Sequence, residues 1–90
     1  MSSTPEIIMY AREQFCPDVT RARTRLTHHG IAWTEFDVVS DDEKRAEMIA
    51  RTGKPNVPQV VIGERILIEP SNEEIDDALV AAGFSLEDAE

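Results

Sequence analysis

The chain has 90 residues, of which 41% are hydrophobic and 30% charged, a size and composition typical of one small globular domain rather than of a disordered chain. Its single cysteine, Cys16, excludes an intramolecular disulfide framework, and no cluster of Cys and His has the spacing of a zinc site. The net charge of −9 argues against nucleic acid or an anionic membrane as a partner.

The first five residues lack the basic and apolar regions of a signal peptide, and no apolar run in the chain is long enough to cross a bilayer. A lone thiol fits a reducing compartment, so we predict a cytoplasmic protein. Acidic residues dominate from Glu64 onward, where Arg65 is the only basic residue. We interpret them as a solvated helix face and an acidic tail at residues 85–90, with selection of basic partners as the alternative.

A continuous apolar run at residues 7–10 predicts a first strand that is covered on both faces. A helix follows, in which Val19, Ala22 and Leu26 share one face. Gly30 is predicted to end this helix.

Cys16 stands at the N-cap position of this first helix, with Pro17 suited to the first helical position and Asp18 to the first turn. A thiol placed there is close to unpaired backbone N–H groups and to the positive end of the helix dipole, which stabilise a thiolate. Asp18 opposes this effect because it is a second negative charge nearby. A free cysteine can also be a small buried hydrophobe, but the position before Pro17 predicts an accessible, reactive thiol.

Residues 32–38 are rich in aromatic and β-branched side chains and predict a second strand. A capping box from Ser40 to Glu43 predicts the start of a second helix. That helix is expected to run to about Thr52 and to end at Gly53.

Two short apolar runs, Gln59–Ile62 and Arg65–Ile68, are joined by a Gly-Glu pair, which predicts a β-hairpin. Ser71, with Glu74 three residues later, predicts the capped start of a last helix. Gly83 is expected to close that helix.

The predicted order is β-α-β-α-β-β-α in a single domain, 1–90, with its core at about residues 6–84. Strands joined through a helix are parallel with a right-handed crossover, and hairpin strands are antiparallel. The chain is therefore expected to adopt an α/β fold with a four-stranded mixed sheet and helices on both faces. Because reactive groups gather at the carboxyl ends of strands in such sheets, residues 11–15 are expected to deliver Cys16 to that edge.

Three segments give the chain its family resemblance: FCPDV at residues 15–19, GIAWTEFDV at residues 30–38 and NVPQV at residues 56–60. Together they resemble a glutaredoxin of the thioredoxin fold, and the resemblance covers residues 6–83. It implies a thioredoxin-like fold and thiol–disulfide oxidoreductase activity. The segment LIEPSNEEI at residues 67–75 is most similar to the mycoredoxin branch, which uses mycothiol rather than glutathione.

The chain departs from the family pattern at three positions. Val19 stands where dithiol members carry a second cysteine, Asn56 replaces a threonine, and Glu69-Pro70 replaces the glycine pair of glutathione-using members. The first departure implies a monothiol mechanism, because the chain has no resolving cysteine. The last disfavours glutathione.

The resemblance implies that Cys16 is the catalytic nucleophile. We expect six residues to bind the substrate: Arg12, Phe15, Val57, Pro58, Ser71 and Asn72. The resemblance also implies a cis Val57–Pro58 bond, which turns the Val57 backbone toward Cys16, although most X-Pro bonds are trans. Ser71 and Asn72 are interpreted mainly as a helix cap. The alternative is that the exposed N–H groups there bind a carboxylate of the small thiol. Three arginines of the first helix, Arg21, Arg23 and Arg25, are interpreted mainly as a solvated face. The two histidines of this helix, His28 and His29, lie about 18 Å from Cys16 and are expected to interact with the helix C-terminus.

We therefore predict a monothiol oxidoreductase, glutaredoxin-like or mycoredoxin-like, that reduces mixed disulfides between proteins and a small thiol. No metal and no tightly bound cofactor is expected; mycothiol, glutathione or bacillithiol is the co-substrate. The expected partners are this thiol and thiolated proteins, and the expected state is a monomer. The alternatives are a non-catalytic binding module and a carrier that shares an iron–sulfur cluster between two chains, although the Cys-Gly-Phe-Ser motif of such carriers is absent.

Overall fold

The computed structural model describes residues 4–86 and contains four strands and three helices in that range. The elements are β1 (Ile7–Ala11), α1 (Pro17–His28), β2 (Thr34–Asp37), α2 (Asp42–Thr52), β3 (Gln59–Ile62), β4 (Arg65–Ile68) and α3 (Asn72–Ala81). The predicted order β-α-β-α-β-β-α is confirmed. Over the described range, no helix has the length and apolar character needed to cross a membrane.

The strands form one mixed sheet in the order β2-β1-β3-β4. β1 and β2 are parallel, whereas β3 is antiparallel to both β1 and β4, so the predicted topology is confirmed. Tyr10 of β1 is the register partner of Gln59 of β3. Consequently the residues that follow β1 and those that precede β3 meet at the same edge of the sheet.

Helices cover both faces of the sheet because successive side chains of each strand point to opposite faces. One hydrophobic cluster joins α1 and α3 to the sheet through the buried side chains of Met9, Leu26 and Leu79. The cluster on the other face contains Tyr10 of β1 and Met48 of α2. The sheet is thus sandwiched between α2 on one side and the α1 and α3 pair on the other.

The start of α2 differs from the prediction. Asp41, not Ser40, is the N-cap, and its side chain accepts a hydrogen bond from the Lys44 N–H at 3.1 Å. Ser40 belongs instead to a turn in which its N–H donates to Asp37 Oδ1 at 3.4 Å. The predicted capping box from Ser40 to Glu43 is wrong because the carboxylate at the end of β2 fixes this turn and delays the helix by one residue.

Two element boundaries also differ. β2 starts at Thr34 rather than at residue 32, because the chain first completes the turn after α1, where the Ile31 N–H donates to the Leu26 carbonyl at 3.0 Å. At the other end of the chain, Leu86 packs against the cluster beneath α1 and α3. The core thus extends past residue 84, and the last four residues of the predicted acidic tail lie outside the described residues.

Candidate active site

Cys16 is the N-cap of α1 and Pro17 is its first residue, as the sequence predicts. The Cys16 backbone is extended, with φ −152° and ψ 115°, and its carbonyl accepts a hydrogen bond from the Thr20 N–H at 2.9 Å. The side chain makes no capping hydrogen bond. The thiol therefore lies at the N-terminal, positive end of α1.

Cys16 is more buried than the sequence predicts. Only 8% of the residue is exposed, and it belongs to the cluster between the sheet, α1 and α3. The expectation that Pro17 keeps Cys16 out of the core is wrong, because Cys16 is aligned with Val19 on the inward side of α1. Val19 is 1% exposed and is therefore a core residue. Access to Cys16 is thus limited to a small exposed fraction of the residue.

The charge of Asp18 is paired one turn along α1. Arg21 Nη2 lies 2.5 Å from Asp18 Oδ1, and the Arg21 Nε–H donates to the Pro70 carbonyl at 3.4 Å. The carboxylate of Asp18 is thus matched by a cation within the first turns of α1. Arg21 also links the first turns of α1 to the loop that precedes α3.

A second cation lies near the thiol. Arg23 of α1 binds both carboxylate oxygens of Glu35 on β2, at 3.2 and 2.5 Å. The hydrogen bond with Glu35 is the main cause that raises the pKa of Arg23, burial opposes it, and the charge of Cys16 adds a smaller contribution in the same direction. The Arg23 side chain is 38% exposed, in keeping with a solvated face, but its partner Glu35 is on another element, which helical periodicity does not show.

Arg25, His29 and Asp76 form a cluster that we call the α1–α3 ion-pair cluster. Asp76 accepts hydrogen bonds from Arg25 Nε at 3.0 Å and Nη2 at 2.5 Å, and its Oδ1 lies 2.8 Å from His29 Nε2. The His29 side chain is 1% exposed. The cluster fixes the C-terminal part of α1 against α3. Within residues 4–86, no three His, Cys, Asp or Glu side chains are grouped so that they could hold a metal ion.

Arg12 and Phe15 belong to the loop that leads from β1 to Cys16. The Arg12 guanidinium donates to the Phe15 carbonyl at 3.3 Å, so its described hydrogen bond goes to the loop backbone. Phe15 is 78% exposed although it is the immediate neighbour of Cys16. The structure therefore makes Arg12 a loop-closing residue and leaves the Phe15 ring available to a ligand.

The Val57–Pro58 bond is cis, as the resemblance implies. The Pro58 carbonyl accepts a hydrogen bond from the Glu69 N–H at 2.8 Å, which ties this bond to the end of β4. Because Pro58 immediately precedes Gln59, the register partner of Tyr10, the Val57–Pro58 pair lies beside the residues that lead from β1 to Cys16.

The predicted cap of α3 is confirmed. Ser71 Oγ accepts from the Glu74 N–H at 3.1 Å, and the Ser71 N–H donates to Glu74 Oε1 at 2.8 Å. Both groups of Ser71 are thus engaged in the helix cap. Its neighbour Asn72 is the first residue of α3 and faces a surface groove.

That groove has a volume of about 440 Å³ and brings together two of the predicted substrate residues, Phe15 and Asn72. The rest of its lining comes from α1: Pro17, Thr20, Arg21, Thr24, Arg25 and His28. Val57 and Pro58 are not part of this lining. Of the predicted substrate residues, two therefore line the α1 groove and two lie at the cis-proline edge of the sheet. Arg12, Ser71 and the predicted nucleophile Cys16 are not part of the groove lining.

Known proteins place this arrangement in a family. The glutaredoxin family model matches residues 7–67. Glutaredoxin 3 of Escherichia coli (strain K12) is 37% identical over 54 residues, 60% of this chain and 64% of that protein, so the chain spans less than two thirds of that relative. The solution structure of glutaredoxin from Brucella melitensis is 32% identical with a TM-score of 0.62, covering 91% of this chain and 85% of that one. The glutaredoxin crystal structure from Archaeoglobus fulgidus has the same fold, with 19% identity and a TM-score of 0.73 over 82% and 85% of the two chains.

Proposed function

This chain belongs to the glutaredoxin family, and we propose that it is a thiol–disulfide oxidoreductase in which Cys16 alone reduces mixed disulfides between proteins and a small thiol. Family membership supports the activity class. One observation carries the monothiol route: the only cysteine of the chain caps α1 with a side chain that makes no capping hydrogen bond. The position of a resolving cysteine is occupied by Val19, which is part of the core.

One thiol is sufficient for this cycle. The Cys16 thiolate attacks the sulfur that the small thiol contributes to the mixed disulfide. The original S–S bond breaks, the protein leaves as a thiolate, and the small thiol becomes disulfide-bonded to Cys16. A second small-thiol thiolate attacks that same small-thiol sulfur, which restores the Cys16 thiolate and releases the symmetrical small-thiol disulfide. The net reaction consumes one small thiol and frees one protein thiol.

The other residues bind and orient. The N-terminus of α1 stabilises the thiolate form of Cys16. The Val57 backbone at the cis-proline edge pairs with the backbone of the incoming thiol compound, in the manner of strand addition. Phe15 and Asn72 contact the ligand from the α1 groove, and Arg12 keeps the loop before Cys16 closed.

The loop before α3 favours a co-substrate thiol other than glutathione. The Glu69 N–H already donates to Pro58, Pro70 has no N–H, and the Ser71 N–H already donates to Glu74. Residues 69–71 therefore offer no N–H to a ligand carboxylate, and Glu69 adds a repelling charge. This arrangement fits a small thiol with an uncharged, sugar-based body, such as mycothiol, better than the carboxylate-bearing glutathione or bacillithiol.

We further propose that the protein acts as a monomer on thiolated proteins in the cytoplasm, without a tightly bound cofactor. A reducing compartment keeps the single thiol in its active form. Dimers linked by a disulfide between two Cys16 residues would be products of oxidation and not the working form, because that disulfide consumes the only thiol of each chain.

The test is turnover of one cysteine peptide carrying glutathione, mycothiol or bacillithiol, with the matching free thiol as reductant. We expect the highest kcat/KM with mycothiol and no turnover by Cys16→Ser. The pH dependence of Cys16 alkylation by iodoacetamide measures the thiolate without any substrate. Absence of turnover with all three thiols, together with alkylation no faster than that of a free cysteine peptide, would overturn the proposal.

A further inference from the structure

We infer that Gln59 is a positioning residue: it holds the cis-proline loop, residues 54–58, in the geometry that docks the small thiol. This inference rests on the proposed function. Within residues 4–86, Gln59 is the one polar or charged residue that is buried as a whole, with 0% of its surface exposed. A buried amide is costly unless it is fully hydrogen-bonded, so its partners indicate its role.

All described hydrogen bonds of the Gln59 side chain go to the loop and to the end of α2. Nε2 donates to the carbonyls of Lys54 and Asn56, at 3.0 and 2.9 Å. Oε1 lies 3.0 Å from the Thr52 hydroxyl, whose single proton is also within reach of the Met48 carbonyl at 3.2 Å. The opposite orientation of the amide would direct its oxygen at two carbonyl oxygens, so the bonding pattern permits only this one.

The loop is thereby anchored on both sides of Val57. Thr52 adds a second attachment at the start of the loop, because its hydroxyl also accepts from the Lys54 N–H at 3.2 Å. Asn56 is held by Gln59, and the Pro58 carbonyl is held by the Glu69 N–H at 2.8 Å. Val57 lies between these two anchored residues, so the direction of its N–H and C=O is fixed at the edge next to the loop that leads to Cys16.

The main perturbation is Gln59→Leu, which keeps the size of the side chain and removes both donors. The Asn56 carbonyl then loses its described partner and the Lys54 carbonyl keeps only the Thr52 hydroxyl at 3.4 Å, so the loop is expected to move. Gln59→Glu is the second variant. Its ionised carboxylate would face the same two carbonyls, whereas the protonated acid regains one O–H donor, so its defect is expected to depend on pH.

Ile62→Ala is the matched control for lost stability. Ile62 is 1% exposed and lies at the opposite end of the same strand, β3, away from the loop. All proteins are compared at a temperature at which thermal unfolding shows each variant to be folded. A merely structural role of Gln59 predicts that Gln59→Leu and Ile62→Ala behave alike once both are folded.

In Gln59→Leu we expect kcat/KM for the small-thiol mixed disulfide to fall about tenfold or more through KM, since misplaced binding groups cost such factors. The alkylation rate of Cys16 is expected to stay at the wild-type value, because iodoacetamide does not dock on Val57. In Gln59→Glu the KM defect relative to wild type is expected to narrow as the pH is lowered. An unchanged KM in Gln59→Leu, or an equal rise in Ile62→Ala, overturns the inference.

Failure of the proposed function is distinguishable from failure of this inference. If the wild type turns over none of the thiols, the proposed function fails, and the backbone amide resonances of residues 54–58 then test the positioning. These resonances are expected to shift in Gln59→Leu and to stay in place in Ile62→Ala. Wild-type resonances in Gln59→Leu overturn the positioning role whatever the activity.

Discussion

Asp76→Asn is expected to loosen the contact between α1 and α3, because it removes the shared carboxylate of the α1–α3 ion-pair cluster. Asparagine keeps the shape of the side chain but loses its charge and one of its two acceptor oxygens. Arg25 and His29 then lose the anion that joins them to α3. The His29 side chain stays buried, since only 1% of it is exposed. Asp76 lies about one turn along α3 from Asn72, which lines the α1 groove.

The expected loss follows from the degree of burial. Breaking a buried charge pair costs about 3–5 kcal/mol, whereas an exposed pair contributes about 0.2–1 kcal/mol. The side chains of Arg25 and Asp76 are 24% and 25% exposed, which places this pair between the two cases, at about 2 kcal/mol. In a domain of this size, each kcal/mol lost from the free energy of unfolding lowers the thermal unfolding midpoint, Tm, by about 4–8 °C. The Tm of Asp76→Asn is therefore expected to fall by roughly 10 °C at neutral pH.

The same substitution predicts a pH dependence. The hydrogen bond from Arg25, and then that with His29, lower the pKa of Asp76 below its usual value, while burial opposes them. A carboxyl with a lowered folded pKa stabilises the protein above its unfolded pKa and loses this contribution as the pH falls through the folded value. The Tm difference between wild type and Asp76→Asn is therefore expected to be full at neutral pH and to shrink below about pH 4.

Thermal unfolding followed by circular dichroism at neutral and acidic pH measures both effects. Asp77→Asn is the matched control, because Asp77 is the exposed neighbour on α3 and loses the same charge. Equal losses of Tm in the two variants would refute the reasoning. So would a deficit in Asp76→Asn that is as large in acid as at neutral pH.

Three further outcomes are expected. Val19→Cys places a thiol one turn after Cys16, so mild oxidation should remove both free thiols; two remaining thiols would contradict the observed helix start. Tyr10, the only tyrosine, has its pKa raised to about 12 by burial and by its hydrogen bond to Glu47. Tyrosinate absorbance of the folded protein, and the accompanying loss of stability, are therefore expected only as the pH rises from 10 toward 12. Titration of Tyr10 in the folded protein near pH 10 would disprove this. Glu69 has a φ of 50°, so Glu69→Asn is expected to raise the unfolding free energy by up to about 1 kcal/mol in urea titrations, and a decrease would exclude strain there.

Local patterns predicted most of the fold because they act over three or four residues. Pro17 after Cys16, the Ser71 and Glu74 pair, and the Gly-Glu turn between β3 and β4 each specify a structure through contacts with immediate neighbours. The cap of α2 could not be predicted in the same way. Ser40 is a suitable N-cap residue, but the competing carboxylate of Asp37 acts from the preceding strand.

The features of the candidate site likewise differ in whether local sequence or tertiary packing determines them. By itself, the sequence determined that a single thiol stands at a helix start with Val19 in place of a resolving cysteine, because counting and local capping need no tertiary contacts. Only the tertiary structure decided that Cys16 is nearly buried, and that Gln59 anchors the cis-proline loop. It also decided which carboxylates pair with the arginines of α1, since Glu35 and Asp76 are brought to them by packing of separate elements. Burial and ion pairing depend on residues far apart in the chain, whose meeting is fixed only when the sheet and helices pack.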